Sequence, residues 1–153
     1  MILSIVEMDE VILRQKTHEV AEPLVDIALE DTQDLIRNMF DTLDNAKGYG
    51  LAAPQVNRTE RVFVFSNGNR RLAFVNPVIT KRWGNAVGDF EGCLSLPGVT
   101  VKVPRHKFIK IDYTDANGQR HTNQKFRGHD ARVIQHEFDH LEGRLIIDYA
   151  RRV

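Results

Sequence analysis

Apolar residues recur at helical spacing near both ends of this chain and at strand spacing between them, and that order of signals limits the folds open to it. Leu35, Ile36, Met39, Phe40 and Leu43 follow the i, i+1, i+4, i+5, i+8 pattern of one helical face. Asp31 or Thr32 is expected to cap this helix and Gly48 to stop it. A second helix is predicted over Gly128–Glu142, with Val133, Phe138 and Leu141 as apolar positions and Gly143 where a C-terminal glycine belongs. Between them, Arg61–Phe65, Leu72–Asn76, Val99–Val103 and Phe108–Tyr113 alternate or run β-branched and aromatic, as strands do. Ser66-Asn67-Gly68-Asn69 and Asp115-Ala116-Asn117-Gly118 read as turns, and the second predicts a hairpin into Arg120–Lys125. Helix, several strands, helix is the order of an α+β fold with mainly antiparallel sheets, not of an alternating α/β fold. With 153 residues, no repeat and no linker, residues 1–153 are expected to form a single compact domain.

Charge and composition narrow the function classes. The 21 Lys and Arg residues balance 21 Asp and Glu residues, so no broad basic surface is expected. Neither a direct nucleic-acid site nor an anionic membrane surface is evident on that ground. No apolar run reaches the ~18–20 residues of a membrane span. Met1–Glu10 carries acids rather than the basic, apolar start of a signal peptide. An apolar fraction of 42% is enough to build a core, which excludes disorder as the main state. The single cysteine, Cys93, cannot form an internal disulfide, so a reducing, cytoplasmic compartment is expected.

The strongest chemical signal is Gln135-His136-Glu137-Phe138-Asp139-His140, which contains H-E-x-x-H. On a helix, His136 and His140 share a face and can share one metal ion, with Glu137 beside them as a proton acceptor for water. An acidic third ligand far downstream has little room, because 13 residues follow His140. The longer pattern H-E-x-x-H-x-x-G-x-x-H is met at Gly143 but has Ile146 at its last position. The third donor is therefore sought upstream, where Cys93 offers a thiolate suited to zinc or ferrous iron. Its neighbours, Glu91-Gly92-Cys93-Leu94-Ser95-Leu96-Pro97-Gly98, suit an irregular segment that aims a side chain. Gly48-Tyr49-Gly50-Leu51-Ala52-Ala53-Pro54-Gln55 allows close backbone approach but lacks the spacing of a phosphate-binding loop.

Taken together, GYGLAAPQ, EGCLSLPG and QHEFDHLEG resemble the three signature motifs of the peptide deformylase family, in the same order. Val103-Pro104-Arg105 and Ala131-Arg132-Val133-Ile134 resemble it as well, so the likeness covers nearly the whole chain. The resemblance implies antiparallel sheets around a central metal-binding helix. It implies one divalent metal ion on Cys93, His136 and His140, usually Fe²⁺ in the cell, with Zn²⁺ or Ni²⁺ in purified protein. The implied reaction is hydrolysis of the N-formyl group from the initiator methionine of new polypeptides. A metal-bound water attacks the formyl carbon, with Glu137 as general base and acid. The Gln55 amide and the Leu94 backbone N–H would stabilise the oxyanion. Tyr49, Gly50 and Gly92 would pair with the extended peptide, Tyr49 and Val133 would line the methionine pocket, and Arg105 would contact the peptide farther along. The implied partner is an N-formylmethionyl nascent chain; the balanced net charge leaves local attraction to the ribosome open, and a monomer is the simplest expectation for the oligomeric state.

The chain departs from the family pattern in places. Met8 stands where a proline is common, Lys47 where an acid is common, and His129 where an apolar residue often borders the methionine pocket. The C-terminus corresponds to a short form without a further helix. Asp139 is open to two readings, a carboxylate supporting the ligands or a surface ion pair. A rival to the enzyme reading is a catalytically idle, metal-stabilised peptide binder, against which the intact Glu137 and Gln55 argue.

Overall fold

The computed structural model describes residues 1–7 and 9–151. Met8 and the last two positions of the expected 1–153 domain lie outside the described residues. Helix α1 (Asp26–Ala46) is followed by strands β1 (Gly50–Ala52), β2 (Val62–Ser66), β3 (Arg71–Cys93), β4 (Leu96–Thr114) and β5 (Arg120–Arg127), then by helix α2 (Gly128–Leu141). The strands form one antiparallel sheet in the order β1-β2-β3-β4-β5, each paired with its neighbour in the chain.

The alternation in Val62-Phe63-Val64-Phe65 explains how two helices share this sheet. Successive strand residues point to opposite faces. Val62 and Val64 therefore join Ala73 and Val75 in the cluster that receives Leu35, Ile36, Met39 and Leu43 of α1. Phe63, Phe65 and Phe74 join Ile109, Ile111 and Phe126 on the other side, against Val133, Ile134 and Leu141 of α2. Full burial of such a side chain contributes about 1.5–3 kcal/mol. The centre of the sheet is thus buried on both faces. Phe74 lies stacked on Phe63 at 4.5 Å and tilted against Tyr113 at 4.3 Å.

The predicted strands are present but longer than their apolar runs. Residues 80–90 of β3 are mostly exposed, so they carry no hydrophobic periodicity, yet they pair with β4 from Lys81↔Lys110 to Glu91↔Val101. Val99–Val103 and Phe108–Tyr113 are one strand through Pro104. The last β4–β5 pair is Phe108↔Arg127, so Pro104 lies where β4 has an open edge and its missing N–H costs no ladder bond. Side chains of α2 cover that edge. Arg132 donates to the Val103 carbonyl at 2.8 Å and Gln135 to that of His106 at 2.9 Å, while Arg132 also reaches the Val87 carbonyl of β3 at 2.5 Å.

Helix α1 starts five residues before Asp31, with Val25 as an N-cap that makes no side-chain bond. Leu24, before the helix, and Leu29, in its first turn, pack in the same cluster, so burial extends the helix beyond the polar capping signals. At its other end Lys47, not Gly48, takes the left-handed conformation, at φ 57°. Helix α2 ends as expected, at Leu141, and Gly143 has φ 75°. A side chain at Gly143 would meet the Arg14 carbonyl oxygen at 2.5 Å, so glycine is required there twice over. The Asp115 turn closes the β4–β5 hairpin, its carboxylate accepting from the backbone N–H of Asn117 and Gln119. Among the described residues no helix is long and apolar enough to cross a membrane.

Candidate metal centre

Helix α2 carries His136 and His140 one turn apart, with ring centroids 5.1 Å from each other. Cys93 ends β3, whose long pairing with β4 delivers it to the same point. One ligand atom from each of Cys93, His136 and His140 falls within 4.8 Å of the others. Cys93 Sγ lies 3.3 Å from His140 Nε2. Donors around a tetrahedral zinc-sized ion at about 2.0–2.3 Å stand roughly 3.3–3.7 Å apart, so the three groups fit one cation after a small adjustment. The donor chemistry fits too, since a thiolate with two imidazoles suits zinc and ferrous iron rather than magnesium or calcium.

Behind the histidines lies a buried ionic network. Glu91, two residues before Cys93, accepts from His136 Nδ1 at 2.8 Å, which turns Nε2 of that ring toward Cys93. Arg105 donates to both Glu91 oxygens at 3.0 and 3.1 Å and to Asp139 at 2.6 Å. Tyr149 donates to Asp139 at 2.6 Å, and Arg132 donates to Glu91 at 2.8 Å. Burial opposes ionisation of Glu91, but the bonds from His136 and Arg105 outweigh it and bring the carboxyl down to about 2. Burial also disfavours charge on His136, yet Glu137, Cys93 and Glu91 raise it to about 10 when no cation competes for the ring. His140 is pushed well below its usual value, by burial first and by the His136 charge next.

The network corrects the expectation for Arg105. It is 5% exposed, its guanidinium is held by Glu91, Asp139 and Tyr149, and it does not line the cleft. It anchors the ligand helix to the sheet instead. The same bonds decide the two readings of Asp139, which is buried and tied to the network rather than in a surface pair. Glu91, Arg132 and Tyr149 were not singled out as functional in the sequence. The available signal was Glu91 itself, a carboxylate close to a candidate ligand, because ligating histidines usually donate their second nitrogen to such a group.

Two polar side chains face the three donors. Gln55 follows β1 in a 3₁₀ turn, Ala53–Val56. Its Oε1 accepts from the Ala52 N–H at 2.9 Å, which turns its NH₂ toward Cys93 Sγ at 3.6 Å and Ser95 Oγ at 3.2 Å. Glu137 is 4% exposed, and its Oε1 is buried with no partner among the described residues. Burial pushes this carboxyl up, with Glu91 and Asp139 adding to the effect, to about 7. Gly50 lies against it, and a Cβ there would stand 2.6 Å from Glu137 Oε2.

The centre opens into a cleft of about 640 Å³. Gln55, Cys93, His136 and Glu137 line it, as do the expected contact residues Tyr49, Gly50, Gly92, Leu94 and Val133. Strand β1 is the first strand of the sheet and among the described residues pairs with β2 alone, so its other edge is open for an extended chain. His129 also lines the cleft, edge-on to Tyr49 with centroids 4.9 Å apart.

Residues 2–153 match the model of the family described as "Polypeptide deformylase". Peptide deformylase of Desulfitobacterium hafniense is 41% identical over 151 residues, covering 99% of this chain and 96% of that one. The crystal structure of peptide deformylase from Thermotoga maritima superposes with a TM-score of 0.89 at 37% identity, covering 97% of both chains. The Synechococcus elongatus enzyme in complex with actinonin gives a TM-score of 0.88 at 35% identity, over 95% of this chain and 77% of that one. A family model matched along almost the whole chain, on a fold that brings Cys93, His136 and His140 together, places this protein in the polypeptide deformylase family.

Proposed function

We propose that residues 1–153 act as one catalytic domain that removes the N-formyl group from the initiator methionine of newly made polypeptides and releases formate. The observation that carries this reading is the convergence of Cys93, His136 and His140 with the buried Glu137 carboxylate and the Gln55 amide, of which Gln55, Cys93, His136 and Glu137 line one cleft. Cys93, His136 and His140 would hold one divalent cation, Fe²⁺ in the cell and Zn²⁺ or Ni²⁺ in purified material. When bound, the cation supplies Lewis acidity that brings the pKa of a water molecule toward neutrality.

The chain's own residues account for the rest. The formylated N-terminus lies along the open edge of β1, between Tyr49-Gly50 and Gly92, with the methionine side chain toward Tyr49 and Val133. Glu137 takes a proton as the water oxygen bonds to the formyl carbon. The Gln55 NH₂ and the Leu94 N–H meet the charge that develops on the formyl oxygen. Such a donor is typically worth about 2.7–4 kcal/mol. The C–N bond then breaks, the Glu137 proton goes to the leaving amine, and formate departs. In this reading the enzyme is a cytoplasmic monomer that works on chains close to the ribosome.

Two expected results test the assignment. Cys93→Ala retains less than a tenth of the metal bound by the parent after identical loading and dialysis, measured by elemental analysis. Full metal content in that variant removes Cys93 from the ligand set. Gly50→Ala forces Glu137 aside by about 1 Å, and a displacement of that size costs on the order of 10²-fold in rate. The expected loss is in kcat for a formyl-methionyl peptide, with metal content unchanged, and parent-like kcat contradicts the placement of Glu137.

A further inference from the structure

We propose that the outer face of the β3–β4–β5 sheet is a docking surface for RNA, independent of the cleft. Lys81 pairs in register with Lys110, and Lys110 with Lys125. Directly paired residues project to the same face, so three lysines stand in a row across three strands. The adjacent row is Trp83, Phe108 and Arg127, paired in the same way. The alternate residues Ile109 and Phe126 point inward to the cluster under α2, which sets the basic rows on the opposite face. Helix α1 lies against β1 and β2 and leaves this part uncovered.

The arrangement is costly for the fold alone. Like charges directly opposite in a sheet destabilise it, and Lys110 is on the middle strand, where protection of a sheet edge is not the reason for a lysine. Among the described residues no ion pair joins Lys81, Lys110, Lys125 or Arg127 to a carboxylate. The carboxylate two positions from Lys110 on this face, Asp112, accepts from the Asn123 backbone N–H at 2.8 Å. The ammonium groups instead gather on the indole of Trp83, with Lys81, Lys125 and Lys110 at 5.1, 5.5 and 6.0 Å from its centroid. Trp83 itself is stacked on Phe108 at 5.4 Å and 15°.

A row of cations beside flat aromatic rings complements a phosphodiester backbone with bases to stack. A lipid surface fits less well, because Trp83 lies flat and half-buried on Phe108 rather than projecting outward. The balanced charge of the whole chain conceals the site, since pairing across three strands concentrates cations that are scattered in the sequence.

Trp83 is the only tryptophan, so its fluorescence reports on this face directly. The test titrates metal-loaded protein with a 20-nucleotide single-stranded RNA at several salt concentrations. Expected are a change in Trp83 fluorescence and a log K against log[salt] slope of about −2 to −3, as for three or four phosphates. The triple variant Lys81→Glu, Lys110→Glu, Lys125→Glu should bind at least tenfold more weakly. The milder triple change to Gln should show the same direction in case the charge reversal disturbs folding. Both should turn over a short formyl-methionyl peptide at the parent rate. RNA binding undiminished in active triple variants overturns the proposal. So does no binding at 50 mM salt, or retention on phosphatidylglycerol vesicles without RNA binding.

Discussion

Glu137→Gln is expected to bind metal at the parent stoichiometry and to lose at least about 10²-fold in kcat, within the 10²–10⁴ range typical of a removed general acid–base group. The substitution is isosteric, so the close approach of Gly50 and the burial at 4% are preserved. What disappears is a group able to take a proton. Burial and the neighbouring acids hold this carboxyl at about 7 without a cation, and its Oε1 is the buried oxygen that finds no partner among the described residues. Buried acceptors without partners are rare and call for a reason. The proposed role supplies one, a water or substrate proton at the reacting centre. The measurement is formate production alongside elemental analysis of the same sample. Parent-like kcat in metal-replete E137Q contradicts the assigned role.

Arg105→Leu is expected to have the largest effect on stability, about 3–5 kcal/mol in urea unfolding, as when one partner of a buried ion pair is removed. Both Glu91 and Asp139 depend on this guanidinium. Glu91 keeps Arg132 as a partner, and Asp139 keeps Tyr149. Those contacts moderate the loss without replacing a planar group that joins both acids. Because Glu91 orients His136, metal affinity should fall about 10–100-fold in the same variant. Arg105→Lys should rescue only part of either loss, since an ammonium cannot reproduce the paired bonds to Glu91. A variant with unchanged stability and reduced peptide affinity would return Arg105 to the cleft.

The fold was legible where burial imposes a period. Val62-Phe63-Val64-Phe65 announces a strand covered on both faces, and Leu35 to Leu43 announce the α1 face that covers one of them. Legibility fails where exposure removes the period, as in residues 80–90 of β3, which are mostly exposed yet paired with β4. It fails also at the start of α1, where packing outweighs the capping signals of Asp31 and Thr32. At the site, the spacing of His136 and His140 foretold a shared face, and the lone thiol lies within 4.8 Å of both, as the search for an upstream donor expected. Arg105 was assigned to the peptide by resemblance, and nothing in its sequence neighbours marks a buried ion-pair partner. Only the folded chain reveals that Glu91, 14 residues earlier, and Asp139, 34 residues later, converge on it.

The most direct test is formate release from an N-formyl-methionyl peptide by anaerobically purified protein, loaded with Fe²⁺ and compared with a chelated sample. The expected outcome is catalytic turnover in the loaded sample, loss on chelation and recovery when the metal is restored. Tight binding of the formyl peptide by metal-replete protein with no formate released would contradict the account.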